Sequence, residues 1–148
     1  MKAMIEILES RTLLSAGPVA ASFVPMQTEM IVAPLTIVYT SPLGRYTGAR
    51  TSTRGNGSDG ITIVIQQWNT VAGTMQVKLI NSDGSVQKGL RGTIVSGRNF
   101  TFHFQAEPTK IVTITGKVGA NYIAITGTYV VRNLAGVLKD RGNFAVSR

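Results

Sequence analysis

The sequence predicts an all-β protein, a single antiparallel up-and-down β-barrel of about eight strands. Three observations predict it. From Arg45 to Arg148, short runs rich in Val, Ile, Thr and aromatic residues alternate with tight turn signals, and no helical stretch intervenes. Several runs alternate strictly between apolar and polar residues, as a sheet with one buried and one solvated face requires. The links between runs are short, which favours up-and-down neighbours, and eight strands can close on themselves and abolish exposed edges. A two-sheet β-sandwich gives the same local pattern and is the alternative.

The elements follow in order. Residues 1–34 read as a leader and linker, and 35–148 as the barrel domain. Leu35 to Thr40 reads as an extra strand, stopped by Ser41-Pro42. Arg45–Thr53 is the first run of the body, and Arg54 to Gly60 forms a loop before Ile61–Trp68. Asn69-Thr70 and Ala72-Gly73 turn the chain into Thr74–Ile80, where Met75, Val77 and Leu79 oppose Gln76 and Lys78. Asn81-Ser82-Asp83-Gly84 is the strongest hairpin signal, since Asn, Asp and Gly tolerate the positive φ of tight turns. Val86–Val95 follows, then Ser96-Gly97-Arg98, then Asn99–Gln105. In that run Phe100, Phe102 and Phe104 point one way, and Thr101, His103 and Gln105 the other. Glu107-Pro108 breaks the chain before Lys110–Val118, and Gly119-Ala120-Asn121 turns it into Tyr122–Val131. A longer link, Arg132 to Arg141, leads to Gly142–Ser147, where Phe144 and Val146 are the last apolar pair. Gly92, Gly116 and Gly127 interrupt otherwise regular runs. In a small barrel such glycines let a strand bend or let a bulky neighbour cross it.

The leader differs in composition from the body. Its apolar, small-residue stretch from Leu13 to Val24 is interrupted by Pro18 and is much shorter than the ~18 residues of a membrane-spanning helix. The chain is therefore not expected to be transmembrane. Lys2 and Arg11 supply the positive start of a secretory signal, and Val19-Ala20-Ala21 a small-residue exit, although Glu6 and Glu9 are foreign to that pattern. Leu8-Glu9-Ser10-Arg11-Thr12-Leu13-Leu14-Ser15 resembles the LEPR-XLL segment near the N-termini of bacterial exported and surface proteins, with Ser10 where the motif has Pro. The resemblance covers about eight residues and implies export, to the periplasm or cell surface, but no activity. In the body, Gly44-Arg45-Tyr46-Thr47-Gly48 and Gly127-Thr128-Tyr129 resemble the Gly-x-aromatic signature of calycin-like barrels such as lipocalins and avidins. No binding residues carry over: an avidin-type site uses several tryptophans, and Trp68 is the only one here.

Composition narrows the function classes. The chain has no cysteine, so disulfides and Cys-ligated zinc or iron–sulfur sites are excluded. Its net charge is +8, and the excess lies in the body, where Asp59, Asp83, Glu107 and Asp140 are the only acids. A basic surface attracts polyanions. Arg45, Arg54, Lys139 and Arg141 flank the first and last runs, which become neighbours if the barrel closes, and they are the candidate polyanion contacts. Nucleic-acid sheets need stacking aromatics on the basic face, and the Phe triplet reads as core, so nucleic acid is the less favoured polyanion.

No motif carries catalysis. Gly55-Asn56-Gly57-Ser58-Asp59-Gly60 spells G-x-G-x-x-G, but a strand follows it where a nucleotide site needs a helix N-terminus. The same loop is similar to one calcium-binding nonapeptide of the β-roll type, whose chemistry requires stacked copies, and only one is present. His103, the sole histidine, reads as a strand residue opposite the Phe face. The expectation is an exported, non-enzymatic β-barrel module with a structural or binding role in the bacterial envelope, without cofactor. Its expected partner is an acidic polysaccharide or another envelope polyanion. The alternatives are a lipocalin-like carrier of a small apolar ligand and, third, an exported hydrolase.

Overall fold

A computed structural model describes residues 36–148. Eight strands follow one another: β1 (Gly44–Ser52), β2 (Ser58–Asn69), β3 (Thr74–Asn81), β4 (Val86–Ser96), β5 (Asn99–Glu107), β6 (Lys110–Val118), β7 (Ala124–Asn133) and β8 (Leu138–Ser147). Each pairs antiparallel with the next, and β8 pairs back onto β1, so the sheet closes as an up-and-down barrel. The predicted fold class holds, in its barrel form. Among the described residues there is no helix, and so none long and apolar enough to cross a membrane.

Closure follows from the alternation. One face of every strand turns inward, and an eight-stranded barrel is just wide enough for side chains to fill it. Tyr46 of β1, Ile63 and Ile65 of β2, Val77 of β3, Phe100 of β5 and Ile125 of β7 are fully or almost fully enclosed. The register runs through these positions: Tyr46 lies opposite Ile63, Ile63 opposite Leu79, and Phe102 opposite Ile114. The Phe face of β5 points in and His103 points out, as the alternation predicts.

The inward glycines make room for rings. A Cβ on Gly116 would lie 2.6 Å from the Phe100 ring, and one on Gly127 would lie 2.7 Å from the Phe144 ring and 2.2 Å from the Thr115 carbonyl oxygen. Gly116 and Gly127 are cross-strand neighbours, so the two rings sit over a bare stretch of sheet.

Several element boundaries differ from the sequence expectation, among them the start of β2, at Ser58 and not Ile61. Thr36 to Thr40 form no strand, and Ile37 and Val38 are exposed. The reason is closure: with β1 paired to both β2 and β8, no edge is free to receive a ninth strand. The long link before the last run is short, because β8 begins at Leu138. Asn133 to Gly136 make the turn, with Gly136 at φ 81° and the Asn133 side-chain oxygen accepting from the Val137 N–H. Residues 138–141 lack apolar alternation because Asp140 is the residue that faces inward. Finally, β7 starts at Ala124, since Tyr122 adopts a left-handed φ of 57° in the preceding turn. Leu35 and the leader, including the export-motif resemblance and the cleavage candidate, lie outside the described residues.

Candidate functional site

The two ends of the barrel are built differently. At the end where the chain enters β1, the interior is plugged. The Arg148 guanidinium lies over the Tyr39 ring at 4.3 Å and the Tyr46 ring at 4.6 Å. The two N–H groups of its Nη2 are shared among three acceptors, the carbonyl oxygens of Ser41 and Leu43, both at 2.7 Å, and the Tyr46 hydroxyl. That hydroxyl lies 2.9 Å from the Pro42 carbonyl oxygen and 3.0 Å from that of Tyr122, either of which accepts its proton. Burial pushes the Tyr46 hydroxyl above its ordinary pKa, against the opposing pull of Arg148. Above the plug the aromatic face of β5 fills the barrel: Trp68 meets Phe100 edge-on, and Phe100, Phe102 and Phe104 follow in a stacked ladder.

The other end is open. There the barrel forms a bowl of about 730 Å³. Phe104, Ala106, Val112 and Val131 give it an apolar wall, and Arg50, Asp59, Gln87 and Asp140 bring polar groups to it. All four acids of the barrel line this one bowl, together with the cations of Arg50, Lys110 and Lys139. Two β-bulges each bring a pair of neighbouring residues to it. The register slips between Gln105 and Glu107, and again between Val131 and Arg132 opposite Lys139. Each slip lets two consecutive residues reach the bowl, Ala106 with Glu107 and Lys139 with Asp140, where strict alternation would allow one.

Asp140 is the fixed anion of the bowl. It accepts from the Ser52 hydroxyl at 2.6 Å, from the Tyr129 hydroxyl at 3.0 Å and from the Arg141 N–H at 2.8 Å. Burial works to raise its pKa, but these hydrogen bonds and one from Asn56 outweigh it and hold the carboxyl below its ordinary value. Burial and the bond to Asp140 push Tyr129 up. Asp83 is held down by hydrogen bonds from Ser85 within its own turn, and Glu107 pairs with Lys110 at 2.9 Å. Arg50 is held more loosely. Its Nη2 is 3.6 Å from Asp59, and its guanidinium lies 5.9 Å from the centre of the Tyr129 ring. Planar donors and acceptors thus surround an apolar wall, in a place open to solvent.

Closure brings three of the four candidate polyanion contacts to this end. Lys139 lines the bowl, Arg54 follows β1 and donates to the Leu138 carbonyl at 3.1 Å, and Arg141 is exposed on β8 beside Thr53. Arg45 is not with them: it stands opposite Val64 near the start of β1, at the plugged end. The sequence reading placed it with the others because it flanks the same run, but a strand carries its two ends apart by about 3.3 Å per residue. His103 is exposed on the outside of β5, opposite Thr113. Among the described residues no group of three His, Asp or Glu side chains is placed to hold a metal ion. The sequence placed Phe104 on the inward face of its run but did not bring it together with Arg50 and Gln87 as a site. Arg50 and Phe104 continue the inward parity of their strands, whereas Gln87 breaks that of Leu90, Gly92 and Ile94 and faces inward through the register slip between Val77 and Leu79. Comparison with protein families, with curated proteins and with solved structures finds no match.

Proposed function

We propose that this protein is an exported, non-enzymatic β-barrel module of a bacterial envelope that binds acidic polysaccharide through the open end of its barrel. The observation that carries the reading is the asymmetry of the ends. One is plugged by Tyr46 and Arg148, and the other is an open polar bowl with Lys139 in its lining and Arg54 and Arg141 beside it. The export part is supported by the resemblance of Leu8 to Ser15 to the LEPR-XLL segment. An aqueous setting is supported by the outer face, where Thr101, Thr115, Thr128, Asn143 and Thr51 stand in one cross-strand row. A membrane barrel carries an apolar band there.

An apolar carrier is less well supported. The interior below the bowl is occupied by Phe100, Phe102 and their neighbours, and an apolar ligand in the bowl would strip water from Arg50, Asp59 and Lys110 without replacing it. The test is co-sedimentation with a uronic-acid polysaccharide over a salt series. Binding at low salt, lost as exposed charges are screened beyond ~8 Å at physiological ionic strength, and abolished by combined Arg54→Glu and Arg141→Glu, is the expected result. Retained binding in that double variant, or none at low salt, overturns it.

A further inference from the structure

We infer that the bowl itself is a saccharide subsite, which takes one neutral hexose-type ring against Phe104 and hydrogen-bonds its hydroxyls through Arg50 and Gln87. The inference rests on the mouth being the binding end, but not on export or on polyanion binding by the surrounding cations.

The choice of ligand class follows from the lining. Four carboxylates face three cations there, so the charges nearly cancel and the bowl offers little net attraction to a compact anion or cation. It offers much to a polyol. A sugar hydroxyl both donates and accepts, and adjacent hydroxyls match planar side chains carrying two polar atoms each. Arg50 on β1 and Gln87 on β4 are such side chains in the lining. Arg50 has N–H groups to spare, since its contacts among the described residues are a 3.6 Å pair with Asp59 and the Tyr129 ring. Gln87 is half-buried and stands opposite the core residue Leu79, which aims it inward.

The apolar half of the requirement is also met. A pyranose has a face of C–H groups that needs a flat apolar partner. Phe104 is the one aromatic ring of the lining, and its place at the end of the ladder over Phe102 fixes its orientation. Unlike Phe100 and Phe102, it is only half-buried and keeps a side toward the bowl. The volume of about 730 Å³ falls within the range of small-molecule sites, roughly 300–1,000 Å³. Asp140, tied to Ser52 and Tyr129, holds its side of the bowl in place. No covalent step is involved.

The experiment uses the full chain and a panel of neutral probes, glucose, galactose, mannose and N-acetylglucosamine, by saturation-transfer NMR and calorimetry. It is run in about 1 M sodium chloride, where the Debye length is roughly 3 Å and the polyanion attraction is silenced. Binding of at least one probe is expected, with Kd on the order of 1–10 mM. Phe104→Ala should weaken it at least about fivefold, as loss of a ring contact implies. Because Phe104→Ala also touches the core ladder, Gln87→Ala serves as the second variant; it removes an amide at the mouth and should weaken binding several-fold with an unchanged melting temperature. Absence of binding by every probe overturns the inference, and so does binding that survives both variants. Salt-sensitive polyanion binding with no neutral-sugar binding leaves the earlier proposal standing and removes this one; the reverse result removes the earlier one alone.

Discussion

Phe102 and Phe104 lie two residues apart on β5, on the same face, with stacked rings 6.4 Å apart. Phe102 is 1% exposed, walled by Ile114 and its neighbours, while Phe104 has the bowl on one side. Between them runs the border of two regions. Toward the plug, every inward strand position is apolar, glycine, or a tyrosine with a bonded hydroxyl, and among the described residues the Arg148 guanidinium is the one charged group that closes the end. Toward the mouth, the same inward parity delivers Arg50, Asp59, Lys110 and Asp140, and a register slip opposite Lys78 adds Gln87. One barrel thus separates an apolar, filled half from a polar, open half. The burial that drives folding is concentrated where there is nothing to bind, and the polar groups gather where water reaches them.

The largest test of that division is Phe102→Ala. Removing a fully enclosed ring from a filled barrel should cost about 3–5 kcal/mol, read from a denaturant titration. His103→Ala, one residue on but facing solvent, should stay within about 0.5 kcal/mol. Equal losses would mean that the inside of the barrel is no more important than the outside, and the comparison would fail at its first step.

Much of this was legible in the sequence, and the limits have a physical cause. Alternation exposed the strands wherever the inward residue is apolar, as in Met75, Val77 and Leu79 or the Phe triplet of β5. It failed where the inward residue is polar. Ser58 and Asp59 read as loop and 138–141 as a link, yet both are strand, and both lie at the mouth. The hydrophobic pattern therefore hid the bowl by the same property that makes it a bowl. Leu35 to Thr40 misled in the opposite sense: a good local strand pattern met a barrel with no edge left to extend. Arg54, Lys139 and Arg141 were found because chain order alone brings the ends of a closed barrel together. The role of Arg148 depends on a return across the whole domain to Ser41, Leu43 and Tyr46, which no local pattern encodes.

At the plug, Tyr46→Phe should cost about 1–3 kcal/mol, because the Arg148 guanidinium and the carbonyl oxygen that accepts the phenolic proton lose a buried partner. The change carries a pH signature. The folded-state pKa of Tyr46 is raised above 10.0, so its contribution is full below the unfolded value and is lost as pH rises through the folded one. Thermal melts above about pH 10 should decline more steeply for the unaltered protein than for Tyr46→Phe. Parallel declines would show that the plug is not held by this hydroxyl.

At the mouth, the corresponding change is Asp140→Asn. Its partners are shared with solvent, so the cost at neutral pH should be about 1 kcal/mol or less. The sign of the pH effect reverses. The Asp140 pKa is lowered below 3.8 in the folded protein, so its contribution is present above the unfolded value and is lost as pH falls through the folded one. Acid denaturation should therefore be less steep below about pH 4 in Asp140→Asn. An identical acid limb in both proteins would show that the network with Ser52 and Tyr129 does not depend on the charge.

The smallest expected effect is the most pointed. Arg50→Met places an unbranched apolar chain where a half-buried guanidinium now has a 3.6 Å ion pair and a distant ring contact. A half-exposed pair of this kind contributes about 0–1 kcal/mol. The methionine would instead extend the apolar wall of Phe104 and Val131 over the Tyr129 ring. The denaturant midpoint should therefore stay constant or rise, by up to about 1 kcal/mol in stability, while the proposed sugar binding falls. That outcome would mean that the polarity of the mouth is not required for folding, and that the chain carries Arg50 there for what the bowl holds. A loss of more than about 2 kcal/mol would place Arg50 among the groups that keep the barrel closed, and the boundary between the two halves would move past it, toward the rim.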